Sequence, residues 1–444
     1  MKPSVRLSQC MIVKDEEKNI RQALGWGKGI VYEQIVVDTG SSDKTVEIAE
    51  EMGAKVFHFP WAHDFSAAKN FAIEKARGNW IAFLDADEYF SDEDVKKILP
   101  LLKQLEKEFY PTHRPHLIRS LLVNLGDGGK TIGTGVQDRI FRNIPDLRYH
   151  NRVHEYLDLT DGGQLYSYDA TGELAVFHTG YAPSVVEERG KEERNIFMIR
   201  KELEEEPENI QMWHYLGDSL LLAHRYEEAE EAYLRGVENP ALFEDVIHQD
   251  PGFASLLKVK FGRNADSDEG FFAIYQKAKN CGCASPDVDY WAGEWLYRSG
   301  NESGAIQYYE QALHLMEEYE SNDPLALSGR LFMVYQKIFS FYAKLKRSVE
   351  MIRYGVLLLR LEPYHAEVLK EILILLKQEP GEEETANATF DFLSKFYDLS
   401  TFKNKLFLVK VSRQANFSAL EKKVELLLSE EERKFVAEAG EIFS

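Results

Sequence analysis

Through roughly the first 90 residues, short apolar runs alternate with helix-patterned stretches: Val5–Val13, a helix from about Lys18, Gln34–Asp38, a helix from about Asp43, Ala54–Phe59, a helix from Asp64, and Trp80–Leu84. Strands that alternate with helices of about 10–15 residues need crossover connections, which means a mainly parallel sheet with its strands buried. The chain is therefore expected to open as an α/β domain. Ser41-Ser42-Asp43 and Asp64-Phe65-Ser66 supply side chains of the kind that cap free N–H groups, marking two of the helix starts.

From about Leu117 the pattern changes to strands with glycine-rich turns, Gly126-Asp127-Gly128-Gly129 and Asp161-Gly162-Gly163, and this section ends near His178-Thr179-Gly180-Tyr181. Beyond Pro183 almost everything reads as helix. Trp213, Leu216 and Gly217, followed by Ala229 and Tyr233, fit the helix-turn-helix repeat of tetratricopeptide type. Gly293, Leu296, Ala305, Tyr309 and Ala312 make a second copy, and Phe332 to Leu361 a poorer third, stopped by Glu362-Pro363. Small residues at these points let paired helices approach, with the aromatic filling the gap between repeats. An insertion between Pro240 and Pro286 makes the array irregular. The expected domains are residues 1–182 (α/β), 183–380 (helical repeats) and 381–444 (capping helices). Such an array serves equally as a scaffold, as a surface pairing two chains into a homodimer, or as a concave face for an extended acceptor such as a peptide.

With 53 basic against 74 acidic side chains the chain carries a formal charge of -21, which repels phosphate backbones and excludes non-specific nucleic-acid binding. Cys10, Cys281 and Cys283 fit neither a disulfide framework nor a zinc site. No run reaches the roughly 18 apolar residues that span a bilayer, and no leader pattern precedes Val5, so a cytoplasmic enzyme without a transmembrane segment is expected.

The chemistry concentrates in Trp80-Ile81-Ala82-Phe83-Leu84-Asp85-Ala86-Asp87-Glu88, an apolar strand that ends in carboxylates. If the strand persists, Asp85 and Asp87 share a face at its carboxyl end, where open α/β sheets gather ligands. Two carboxylates about 5 Å apart repel by roughly 3 kcal/mol at an effective dielectric near 20, and a divalent cation turns that repulsion into attraction. Oxygen ligands favour Mg²⁺ or Mn²⁺. The plainer alternative is an acidic turn before a helix starting near Ser91. Upstream, Ile35-Val36-Val37-Asp38-Thr39-Gly40-Ser41 is a second apolar strand ending in a carboxylate. Asp38 would accept a hydrogen bond from a base or ribose, or else satisfy its own turn.

Taken in order, Met11-Ile12-Val13-Lys14-Asp15-Glu16-Glu17, the Asp38 loop, Asp64-Phe65-Ser66-Ala67-Ala68-Lys69-Asn70 and Asp85-Ala86-Asp87 resemble the family 2 glycosyltransferases of GT-A fold. Tyr149-His150-Asn151-Arg152-Val153-His154-Glu155 looks like the His-Glu element of a bacterial branch of that family. The resemblance implies a GT-A nucleotide-sugar-binding domain with a Rossmann-like mixed sheet, here followed by an all-α tetratricopeptide-like domain. It implies a UDP-sugar donor contacted by Val13, Asp38, Lys69, Asn70 and Asp85. It further implies Mg²⁺ or Mn²⁺ on Asp85 and Asp87, inversion at the anomeric carbon, and Glu155, with His154, as the catalytic pair, against a role for both in tying a loop to the sheet. His178 is a candidate late metal ligand, with a simple hydrogen-bonding role as the alternative. Arg139 and Arg142 are candidates for the diphosphate, against surface ion pairing. Trp61 and His63 are candidates to face the sugar or acceptor, with burial against the sheet edge as the alternative for Trp61.

The whole architecture is similar to bacterial peptide S-glycosyltransferases that modify bacteriocins on cysteine, and its catalytic half to lipopolysaccharide-core glucosyltransferases. The leading expectation is transfer to a peptide or protein held by the repeats. The alternatives are an envelope-glycan or lipid-linked acceptor, and a non-catalytic scaffold.

Overall fold

The structure, a computed structural model, describes residues 4–108, 114–180, 191–238, 252–263, 267–319 and 325–439. The chain divides into two compact units, Met1–Phe243 and Glu244–Ser444. The border drawn at 182/183 from sequence falls outside the described residues. In the first unit the strands are β1 (Leu7–Val13), β2 (Glu33–Asp38), β3 (Lys55–His58), β4 (Trp80–Phe83), β5 (Glu88–Phe90), β6 (Leu117–Leu125), β7 (Thr131–Arg142), β8 (Leu147–His150), β9 (Tyr156–Leu159), β10 (Ser167–Asp169) and β11 (Ala175–His178). The helices among them are α1 (Ile20–Gly25), α2 (Thr45–Glu51), α3 (Phe65–Lys75) and α4 (Asp92–Glu108).

The main sheet runs β3-β2-β1-β4-β7-β6-β11-β5, with β10 also on β6, and β8 pairs β9 separately. β3, β2, β1 and β4 are parallel, as their crossover helices require. β7 is antiparallel to both β4 and β6, which makes the sheet mixed. Alternate residues of β4 serve opposite layers. Trp80 and Ala82 pack with Ile98, Leu102 and Leu105 of α4, while Ile81 and Phe83 pack with Ala72 and Ile73 of α3 and with Tyr149 of β8.

Two predicted starts hold in different ways. Asp64 caps α3 by accepting from the Ala67 N–H at 2.8 Å, whereas Asp43 accepts from Thr45 just before α2 is established. The larger difference lies at β4, which ends at Phe83. Asp85 to Glu88 form a turn closed by the Glu88 N–H on the Asp85 carbonyl at 3.0 Å. The alternation argument for Asp85 and Asp87 therefore loses its premise, because neither residue is in a strand.

The same unit continues with α5 (Lys191–Glu205), α6 (Ile210–Leu222) and α7 (Tyr226–Gly236). The second unit holds α8 (Phe253–Arg263), α9 (Asp268–Asn280), α10 (Pro286–Arg298), α11 (Glu302–Glu318), α12 (Leu331–Lys344), α13 (Ser348–Leu361), α14 (Ala366–Leu376), α15 (Glu382–Leu393), α16 (Phe402–Gln414), α17 (Ser418–Glu425) and α18 (Glu430–Ala439). The repeat signature has a direct packing cause. A methyl group on Gly217 would sit 2.5 Å from the Tyr233 ring, and one on Gly293 would sit 2.7 Å from Tyr309. Each tyrosine also donates its hydroxyl to the acid after that glycine, Asp218 at 2.6 Å and Glu294 at 2.7 Å. The aromatic thus locks its own helix pair, where the sequence reading put it between repeats. Among the described residues no helix is long and apolar enough to cross a membrane.

Candidate active site

The carboxyl ends of β1, β2 and β4 lie side by side, since Val13 is in register with Asp38 and Cys10 with Phe83. The loops that leave this edge are latched together. The Asp15 N–H donates to Ser41 Oγ, the Ser42 N–H to Asp15 Oδ1 at 2.7 Å, and the Glu16 N–H to Thr45 Oγ1 at 2.6 Å. The Val13 carbonyl accepts from the N–H and hydroxyl of Thr39. Asp38 is 5% exposed, accepts from the Ser41 and Gly40 N–H groups, and faces His58 Nδ1 at 3.2 Å. Burial would raise its pKa, but these hydrogen bonds hold it below the ordinary carboxylate value. Its partners are those of the turn-satisfying alternative.

Beside β4, Lys69 of α3 is 4% exposed and lies over the rings of Phe83 and Tyr149. Its Nζ is 2.5 Å from Glu155 and 3.7 Å from Asp85. Burial alone would push the Lys69 ammonium toward neutrality, but Asp85 and Glu155 overcome it and hold its pKa above the usual value. On the other side of Asp85, Arg139 donates to Asp85 at 2.9 Å and to Glu88 at 2.5 Å. Dehydration raises the Asp85 pKa, yet Lys69, Arg139 and His178 together keep it well below the ordinary range. The Glu88 carboxyl, 2% exposed, is pushed up by burial, and its second oxygen accepts from the Asp85 N–H.

Asp87 turns to different company. Its Oδ2 is 3.2 Å from His178 Nε2, and His178 Nδ1 is 2.9 Å from Asn124 Oδ1. The amide oxygen can only accept, so Nδ1 carries a proton and Nε2 is the atom presented to Asp87. A methyl group on Gly180 would overlap Asp87 Oδ2 and come within 2.7 Å of His178 Nε2, so both donor atoms converge on a spot kept clear by glycine. Among the described residues no three His, Cys, Asp or Glu side chains are grouped to hold an ion. The fit is nevertheless good for Mg²⁺ or Mn²⁺, ions commonly held by one or two protein ligands with the rest from water and phosphate. Lys69 and Arg139 face three carboxylates, Asp85, Glu88 and Glu155, and Asp87 adds a fourth beside His178, so carboxylates outnumber the two buried cations at this edge. A diphosphate would be repelled there without an accompanying cation.

Other predicted residues sort themselves by contact. Asn70 donates to the Tyr149 carbonyl and accepts from the Tyr149 N–H, both at 2.9 Å, so its amide fixes β8 against α3. Arg139 has its guanidinium committed to two carboxylates, which makes it a clamp on Asp85. Arg142 is directed away from this cluster, to Glu106 at 2.7 Å and over the Trp80 ring. His154 stacks on Tyr215 of α6 with ring centroids 4.0 Å apart, and burial lowers its pKa. Trp61 packs on Phe65, and His63 on Phe197 of α5. Sequence reasoning missed Glu88 as the Arg139 anchor, Asn124 behind His178, and Gly180. Only the first had a visible signal, its place directly after Asp87.

Carboxylates and buried cations thus gather at the carboxyl edge of the parallel strands, the place where open α/β sheets bind their ligands. Residues 8–116, within the first unit, match the family model described as glycosyl transferase family 2. The chain is 32% identical over 238 residues to a TPR repeat-containing protein of Synechococcus elongatus, covering 52% of this chain and 57% of that one. It is 29% identical over 282 residues to the SPbeta prophage-derived glycosyltransferase SunS of Bacillus subtilis, covering 63% and 64%. In both cases the match spans less than two thirds of the relative's length. S. aureus TarS in complex with UDP-GlcNAc superposes with a TM-score of 0.33 at 14% identity, covering 67% of this chain and 92% of that one, a likeness too shallow to bear on function.

Proposed function

We propose that the chain is an inverting glycosyltransferase that moves a sugar from a UDP-sugar to a peptide or protein acceptor with help from Mg²⁺ or Mn²⁺. The observation that carries this reading is the convergence of Glu155, Lys69, Asp85 and Arg139 on one side of the β4 turn with Asp87 and His178 on the other. Asp87 and His178 would hold the cation, which supplies charge neutralisation to the departing diphosphate.

The chain's own groups account for the rest. Glu155 accepts the proton of the acceptor hydroxyl, thiol or amine as that atom bonds to the anomeric carbon from the face opposite the phosphate. The carbon–oxygen bond to the diphosphate breaks with its electron pair leaving on oxygen. Lys69, fixed between Asp85 and Glu155, orients the base, and Arg139 keeps Asp85 from swinging out of the turn. Donor contacts are assigned to Val13, Asp38, Lys69 and Asp85. Support for a peptide acceptor comes from α5 and α6, which lie against the Glu155 loop through Arg152 and His154, while His63 of the segment before α3 also packs on α5.

The test is incubation of the full chain with Mn²⁺, UDP-glucose or UDP-N-acetylglucosamine, and synthetic peptides containing Ser, Thr and Cys, followed by mass spectrometry. A sugar-sized mass gain on a peptide with release of UDP is expected. Transfer to lipid-linked or envelope glycans but to no peptide would move the acceptor to the alternative class. UDP binding without turnover of any nucleotide sugar would leave only the scaffold.

A further inference from the structure

The loop that carries Glu155 does not hold its own shape. Asn151 and His154 both lie in the left-handed region, with φ of 68° and 54°. Residues other than glycine enter that region uncommonly, Asn and His more readily than most, and ties to the surroundings help to keep them there. Two of the ties come from the start of α3: Ser66 Oγ donates to the Asn151 carbonyl at 2.5 Å, and the Phe65 N–H to the Arg152 carbonyl at 2.9 Å. Further ties come from the first helices of the repeat region. The Arg152 N–H donates to Glu202 of α5 at 2.9 Å, and its guanidinium to Glu205 at 2.5 Å. The His154 ring lies nearly parallel to Tyr215 of α6, 15° between planes.

Glu202 is only 9% exposed, so the backbone bond it accepts is shielded from competing water. Tyr215 is itself steadied, its hydroxyl accepting from Gln211 Nε2 at 3.0 Å. Glu155 follows His154 directly, and its carboxylate must meet Lys69 on the α3 side. The loop is thus stretched between α3 and the α5–α6 pair, with the proposed base at the point where the two sets of ties meet.

We infer that Glu202 and Tyr215 are positioning residues for Glu155, so that the first helical pair is part of the catalytic apparatus as well as an acceptor surface. This rests on the reading of Glu155 as base. A shift of about 1 Å in a reacting group costs on the order of 100-fold in rate. Tyr215→Ala and Glu202→Ala should therefore lower kcat on a hydrolysed or transferred UDP-sugar by about 10- to 100-fold while donor KM stays within about two-fold. Tyr215→Phe keeps the ring and Glu202→Gln keeps an acceptor oxygen, so both should restore most of the rate.

The decisive measurement is hydrogen–deuterium exchange on the full chain. Residues 150–156 should exchange faster in the two alanine variants, and at the wild-type rate in the two conservative ones, with β1 and β2 unchanged in all four. Wild-type exchange across residues 150–156 in both alanine variants would overturn the inference. So would an unchanged kcat in those variants when Glu155→Gln is inactive. If Glu155→Gln itself turns over normally, the base assignment fails instead, and the exchange data alone then decide whether the helices hold the loop.

Discussion

Glu155→Gln is expected to slow glycosyl transfer by about 100- to 10,000-fold, the range general-base catalysis supplies, while UDP affinity stays within about two-fold of wild type. The amide keeps the shape of the carboxylate and can still accept from Lys69 Nζ, 2.5 Å away, so Lys69 remains seated between residue 155 and Asp85. What it loses is the capacity to take a proton from the acceptor. Glutamine is the informative replacement. Alanine would leave Lys69 with only the more distant carboxylate at 3.7 Å, and breaking a buried ion pair costs about 3–5 kcal/mol, enough to confuse lost chemistry with lost structure. Steady-state kinetics with separate kcat and KM, beside a thermal melt, check the outcome. A large drop in kcat with a melt lowered less than in Glu155→Ala is expected, whereas wild-type kcat would remove Glu155 from the reaction.

The second large effect is expected from Asp87→Ala. Asp87 has no part in the cluster formed by Lys69, Arg139, Asp85 and Glu88, so its removal leaves the buried cations paired and the fold intact. It does strip His178 of its carboxylate neighbour and takes away the oxygen ligand at the spot Gly180 keeps clear. Losing one preorganised charge-stabilising element costs roughly 100- to 1,000-fold in kcat. Chelator treatment of the wild-type chain should produce a fall of the same order, reversed by added Mn²⁺, and the variant should respond to neither. A variant that keeps full, Mn²⁺-stimulated activity would move the cation to other residues.

The order of strands and helices was readable because buried parallel strands print as continuous apolar runs, and the crossover helices between them print as a change of period. The repeat pairs were readable for a similar reason, since Gly217 and Gly293 have no room for a side chain beneath Tyr233 and Tyr309. Which polar residues gather at this sheet edge was readable in part, and which of them touch was not. Asp85 and Asp87 look like one motif in sequence, yet the turn after Phe83 sends Asp85 to Lys69 and Arg139, and Asp87 to His178. Asn70, beside Lys69 in sequence, spends its amide on the Tyr149 backbone. These outcomes depend on strand register between distant segments. Asn124 reaches His178 only because β6 pairs β11, and Glu88 neighbours His178 only because β5 does. Nothing local in the chain announces such pairings.

Calorimetric titration of the full-length chain with UDP, in the presence and absence of Mn²⁺, bears most directly on the claim that this sheet edge binds a nucleotide diphosphate through a cation. The expected result is saturable binding that tightens by at least about tenfold with Mn²⁺, because carboxylates otherwise outnumber the buried cations at the edge, and that loses the enhancement in Asp87→Ala. Failure to bind UDP with or without Mn²⁺, or binding that Mn²⁺ and Asp87→Ala leave unchanged, would contradict it.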